Sequence, residues 1–127
     1  MSSVKKILIV EDDNLTINIL EFILRKEGYS LTIAKDGAEA IEKIPSLLPD
    51  LVITDVMLPF KSGLEVTNFV KENYKNIPVI ILSALGEEEN TVTNGFKLGA
   101  DDFIAKPFNP KELILRVKRL IIIEAER

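Results

Sequence analysis

Short apolar runs alternate with amphipathic stretches five times along this chain. Ile7 to Val10 is a β-branched run closed by acids, the pattern of a buried strand. From about Asn14 to Glu27, Ile17, Leu20, Ile23 and Leu24 recur at helical spacing, and Gly28 is the expected stop. Ser30 to Ala34 alternates as a second strand. Gly37 to about Ile44 predicts a helix with Ala38, Ile41 and Ile44 on one face. Pro45 lacks a backbone donor and crowds the preceding turn, so this helix is expected to end early or kink before Pro49. Leu51 to Thr54 predicts the third strand. Gly63 to about Asn73 predicts a helix carrying Leu64, Val66, Phe69 and Val70. Pro78 to Leu82 and Asp102 to Ala105 predict the fourth and fifth strands. Between them, Glu87 to Leu98 predicts a helix whose leading acids suit the positive helix end. Pro110 to about Ile123 predicts the last helix, with proline in its first turn.

Continuous apolar strands, each followed by a helix, imply an α/β fold with a parallel sheet covered on both faces. Right-handed crossovers leave few topologies for it. No composition shift or repeat longer than the βα unit divides residues 1–127, so a single domain is expected. At 127 residues, 46% hydrophobic and 28% charged, the chain can bury a real core.

Charge and composition then exclude several functions. The formal net charge is −4, and the longest block of like charge is Glu87-Glu88-Glu89. That lacks the basic footprint of a nucleic-acid binder, so no direct nucleic-acid contact is expected. The absence of cysteine and histidine excludes thiolate metal sites, cysteine nucleophiles and imidazole bases. Met1 to Lys6 carries no signal-peptide apolar core, and apolar runs such as Leu120 to Ile123 are too short to span a bilayer. A cytoplasmic protein without a membrane partner is expected.

In open parallel sheets, sites form at the carboxyl ends of strands. Glu11, Asp12 and Asp13 follow the first strand, Asp55 the third, Ser83 the fourth, and Lys106-Pro107 the fifth. If those strands are neighbours, these groups converge on one cleft. Close carboxylates repel, and a hard cation such as Mg²⁺, which prefers oxygen ligands, resolves the conflict with help from Lys106. A metal beside a carboxylate, with a lysine and a hydroxyl, suits phosphoryl transfer to the carboxylate.

Each residue alone also has a bland reading. An acid before a helix is commonly an N-cap, and Asp13 or Asn14 fits that role. Taken alone, Glu11 and Asp12 read as readily as capping or solvated acids as they do as functional ones, and Asp55 as readily as a turn residue. Ser83 alone is structural, Lys106 alone a solvated lysine, and Phe103 alone ordinary core. The joint placement at strand ends favours the functional reading.

At this point four segments resemble a known family, the response-regulator receiver domains of two-component signalling. Ile7 to Asp13 resembles their first strand and acidic pocket. Asp50 to Pro59, with Gly63, resembles their phosphoacceptor segment. Pro78 to Ala84 is similar to their fourth strand, and Gly99 to Phe108 to their closing signature. The likeness runs from about Lys5 to Leu120. It implies a flavodoxin-like, doubly wound five-stranded sheet of order 2-1-3-4-5 with five helices. Asp55 would take a phosphoryl group from a sensor histidine kinase. Mg²⁺ would be bound directly by Asp12, through water by Glu11, and further by Asp55 and the Met57 carbonyl. Lys106 would hold the phosphoryl oxygens, and its bond to Pro107 would be cis. Ser83 would swing toward the phosphate and Phe103 would turn inward. The face of the fourth helix, fifth strand and fifth helix would then be read by an effector, an output domain or a dimer partner. Such a protein is no enzyme beyond its own phosphorylation and dephosphorylation. Met57 and Leu85 would flank the site and govern water access.

The last helix looks like that of receivers joined to winged-helix DNA-binding domains, which often dimerise. Asp102 and Arg116 match one ion-pair position of that dimer, and Leu115 with Ile122 leaves an apolar stripe. Val92 stands where a basic residue opposite Glu112 is expected, and Phe103 replaces the common tyrosine. Competing readings are a phosphate-independent interaction module, opposed by the intact Asp55, Ser83 and Lys106, and a flavodoxin-like cofactor binder, opposed by acids where a phosphate loop is needed. An aspartate-nucleophile phosphatase would call for a second acid where Met57 stands.

Overall fold

The computed structural model describes the backbone of residues 4–84 and 89–125, and the side chains of 4–84 and 93–121. The expectations placed on Leu85, on the Glu87–Glu89 acids and on the side chains of Val92 and Ile122 lie outside the described residues.

The elements run β1 (Lys6–Val10), α1 (Asn14–Lys26), β2 (Ser30–Ala34), α2 (Gly37–Leu47), β3 (Leu51–Asp55), α3 (Gly63–Asn73), β4 (Val79–Ser83), α4 (Glu89–Lys97), β5 (Asp102–Ala105) and α5 (Pro110–Ala125). All strand pairs are parallel, and the order is β2-β1-β3-β4-β5. Alternate residues of each strand serve opposite faces. Ile7, Ile9, Ile53, Ile80, Leu82 and Ile104 pack against Leu20 and Leu24 of α1 and Leu113 and Val117 of α5. Leu8, Val10, Val52, Val79 and Ile81 pack against Ala40 and Ile44 of α2 and Val66 and Val70 of α3. Both faces are thereby covered, which is why these strands read as unbroken apolar runs.

For the second helix, the end expected near Ile44 and the expected inward face are corrected. α2 continues through Pro45 to Leu47 and stops at Leu48, which takes a left-handed conformation and donates its N–H to the Ile44 carbonyl at 2.9 Å. Proline's fixed φ is itself helical, and only one backbone bond is forfeited. Pro45 faces outward, whereas Ile44 is fully buried and Leu47 half-buried, so packing on both sides of the proline keeps the turn wound. The buried face is also turned from the expected one: Gly37, Ala40 and Ile44 lie inside, and Ala38 is exposed. At α1 the expected Ile17, Leu20, Ile23 and Leu24 are the buried set.

The strand order reverses between β1 and β3, on either side of which chains leave the sheet in opposite directions. A crevice opens at that point.

Candidate phosphoacceptor and metal site

Glu11 leaves β1 with its N–H still bonded to the Ala34 carbonyl at 3.0 Å, so the backbone stays in the sheet register while the side chain turns into the crevice. That side chain is buried. Its Oε2 accepts the backbone N–H groups of Asp12 and Asp13 at 3.1 and 3.2 Å. Its Oε1 accepts from Lys106 Nζ at 2.9 Å. Asp13 is the N-cap of α1: its Oδ2 accepts from the Thr16 backbone N–H at 2.9 Å and the Thr16 hydroxyl at 2.7 Å. Those bonds, the hydroxyl's first, hold its carboxyl below the usual range. Asp13 is thus occupied, and Asp12, which is exposed, faces the crevice mouth.

Asp55 closes β3 and is 8% exposed. Its Oδ1 accepts the Val56 N–H at 2.8 Å, and its Oδ2 lies 3.2 Å from Lys106 Nζ. One carboxylate oxygen each from Glu11, Asp12 and Asp55 fall within 4.8 Å of one another. Gly63 lets the start of α3 press on this strand end, because a Cβ there would overlap the Asp55 carbonyl oxygen. Its N–H bonds the Val56 carbonyl at 2.9 Å, and a Ser62–Glu65 capping box fixes the helix start.

Lys106 is delivered by β5. Its N–H bonds the Ser83 carbonyl at 2.8 Å, and the peptide bond to Pro107 is cis, as the family likeness implies. Ser83 and Phe103 are half-buried, and Met57 is exposed. A cleft of about 390 Å³ beside Lys106 is lined by Thr16, Ile19, Ala84, Pro107 and Phe108. Sequence reasoning did not single out Thr16 or Ile19 for this site, since nothing in their local pattern differs from core or surface residues.

The electrostatics follow from the geometry. Burial, opposed by the Lys106 hydrogen bond and reinforced by the Asp55 charge, leaves the Glu11 carboxyl above its ordinary range. Burial pulls Lys106 down, but its bond to Glu11 and the charges of Asp55 and Glu11 outweigh that and hold its ammonium above the usual lysine value. Glu11 and Asp55 therefore share Lys106, and the Asp12 carboxylate adds a third negative charge beside them. An oxygen-only donor set with unmet negative charge fits a hard divalent ion such as Mg²⁺.

Asp102, by contrast, is paired within its own chain. Both its oxygens accept from Arg116 Nη1 at 2.8 Å, and Arg119 Nη2 lies 3.3 Å away. Leu115 is exposed on α5.

Comparison with known proteins agrees with this arrangement. Residues 7–118 match the response regulator receiver domain family. A response regulator from Chloroflexus aurantiacus J-10-fl is 38% identical, with a TM-score of 0.89 over 94% of this chain and 99% of that one. The receiver domain of a Francisella response regulator is 36% identical, with a TM-score of 0.83 over 92% of this chain and 96% of that one. The signal receiver domain of a signal transduction histidine kinase from Syntrophus aciditrophicus is 36% identical, with a TM-score of 0.86 over 93% and 90%. With its strand order, its acidic crevice and this match across most of its length, the chain belongs to the response regulator receiver domain family of two-component signalling.

Proposed function

We propose that this receiver domain is a switch phosphorylated on Asp55. The observation that carries the reading is the convergence of the Glu11, Asp12 and Asp55 carboxylates, two of which, Glu11 and Asp55, pair with Lys106. Asp55 Oδ attacks phosphorus, a P–O bond forms, and the P–N bond of the kinase's phosphohistidine breaks. The imidazole nitrogen leaves with the electron pair and takes a proton. Asp12, Asp55, the Met57 carbonyl and, through water, Glu11 would hold Mg²⁺. When bound, Mg²⁺ neutralises the charge on the phosphoryl oxygens.

Lys106 moves from Asp55 onto a phosphoryl oxygen while keeping its bond to Glu11. The new dianion draws the Ser83 hydroxyl, and Phe103 follows. The changed face of α4, β5 and α5 is read by an effector, an output domain or a second copy through Asp102, Leu115 and Arg116. No catalysis beyond the domain's own phosphorylation and dephosphorylation is proposed, and the cytoplasm is the proposed location. Among the described residues no helix is long and apolar enough to cross a membrane.

The test is intact-protein mass after incubation with Mg²⁺ and acetyl phosphate, for wild type and Asp55→Asn. Wild type should gain one phosphoryl group and the variant none. No gain by a folded wild type would favour a phosphate-independent interaction module. Uptake by the variant would move the acceptor elsewhere.

A further inference from the structure

Gly95 lies inside α4 and is buried. Glycine in a helix interior lowers the folding constant about fivefold relative to alanine, so its presence there asks for a reason. A Cβ built on Gly95 would overlap the Cζ of Phe103 and lie 3.0 Å from Cδ1 of Ile81. Phe103 and Ile81 are register partners on β5 and β4. The Phe103 ring centroid lies 4.5 Å from that of Phe96, with the planes tilted by 52°. The tip of the ring therefore fills the space that an alanine methyl would take, with Ile81 on one side and Phe96 on another. Phe96 is exposed and Phe103 only half-buried, so the slot opens toward solvent and the ring can leave it by side-chain rotation. Ser83 stands two residues beyond Ile81 on the same strand, with Ala105 as its partner two residues beyond Phe103.

We propose that Gly95 is a positioning residue of the switch: its missing side chain makes the slot that Phe103 occupies, and the ring's seating there couples α4 to the phosphorylation site. The coupling rests on the reading of Ser83 and Phe103 as switch residues, whereas the slot itself does not. An alanine at this position closes the slot, improves the helix and drives the ring toward solvent.

Two measurements on the full chain separate these claims. The first is urea unfolding of Gly95→Ala in the wild-type, Phe103→Ala and Phe103→Leu backgrounds. With the ring shortened or removed, the alanine should raise the folding constant about fivefold. In the wild-type background that gain should vanish or reverse. An equal gain in all backgrounds would overturn the slot.

The second measurement is ¹⁹F NMR of protein labelled with fluorophenylalanine, with the Phe103 signal assigned by its loss in Phe103→Leu. After acetyl phosphate and Mg²⁺, the wild-type Phe103 signal should move. In Gly95→Ala it should hold one position before and after, while intact mass still records one phosphoryl group. A normal shift in Gly95→Ala, or no shift in phosphorylated wild type, would overturn the coupling. If wild type takes up no phosphoryl group, the phosphorylation reading fails and the unfolding series still decides the slot.

Discussion

Asp55 and Asp102 are equally buried, each 8% exposed, yet they live in opposite charge environments. Asp55 shares its pocket with Glu11 and Asp12, and among the described residues Lys106 is the cation that bridges it to Glu11. Asp102 has two arginines on it, Arg116, which also pairs with Glu112 at 3.5 Å, and Arg119, and its Oδ1 also accepts the Phe103 N–H at 2.8 Å. One centre is left short of positive charge and the other is matched, two arginines against Asp102 and Glu112. Burial of an acid is therefore no mark of function by itself. The mark is negative charge that the chain leaves unmatched, because an unmatched buried charge is costly until a ligand arrives.

Removing Lys106 should break the comparison most severely. In the presence of chelator, Lys106→Ala should lose roughly 3 kcal/mol in a urea titration, since Glu11 stays buried without its cation. The Glu11 carboxyl already sits above its ordinary value of 4.5, and loss of Lys106 raises it further. An acid whose folded value is raised contributes stability below its unfolded value and loses it as pH rises through the folded value. The deficit should thus be largest at neutral pH and shrink as pH falls toward 4.5. A deficit that ignores pH would mean that Glu11 is not the stranded group.

Adding metal sharpens the contrast next. At a hundredfold excess over Kd, Mg²⁺ should stabilise wild type by about 2.7 kcal/mol. Asp12→Ala should forfeit most of that gain. Asp13→Ala should keep it while losing the α1 cap, because Thr16 already occupies Asp13. The opposite ranking in thermal melts with and without Mg²⁺ would shift the ligand set by one residue.

The smallest effect belongs to the satisfied centre. Arg116→Ala should cost about 1 kcal/mol or less, because Arg119 remains and the pair is partly open to water. That cost should be the same with and without Mg²⁺. A Mg²⁺-dependent cost, read from the same melts, would show that the two centres communicate.

The sequence carried the repeating βα order, and the bounds of β2 and β5 were legible to the residue, because short β-branched runs between turn signals have few other uses. Glu11, Asp12, Asp55, Ser83 and Lys106 were legible as strand-end groups for the same reason. The path of α2 was not. Pro45 is a strong local stop, but the burial of Ile44 and Leu47 against the sheet outweighs one forfeited backbone bond. The choice of Ala40 over Ala38 as the inward residue was equally hidden, since two alanines two apart give no periodic preference.

What the chain determines by itself is local: where it is apolar, where it turns, and which chemical groups stand at the strand ends. Those follow from side-chain size, backbone propensity and the position of acids after apolar runs. Only the tertiary structure decided which of these groups meet. Glu11 and Lys106 are 95 residues apart, and their ion pair exists because β1 and β5 discharge into one crevice. Asp102 is joined within the chain to Arg116 and Arg119, 14 and 17 residues away, because α5 packs back beside β5. Gly95 reads as a helix weakness until Phe103 is seen to fill its space. Charge pairing and packing act through distance in space, and no local pattern carries that distance.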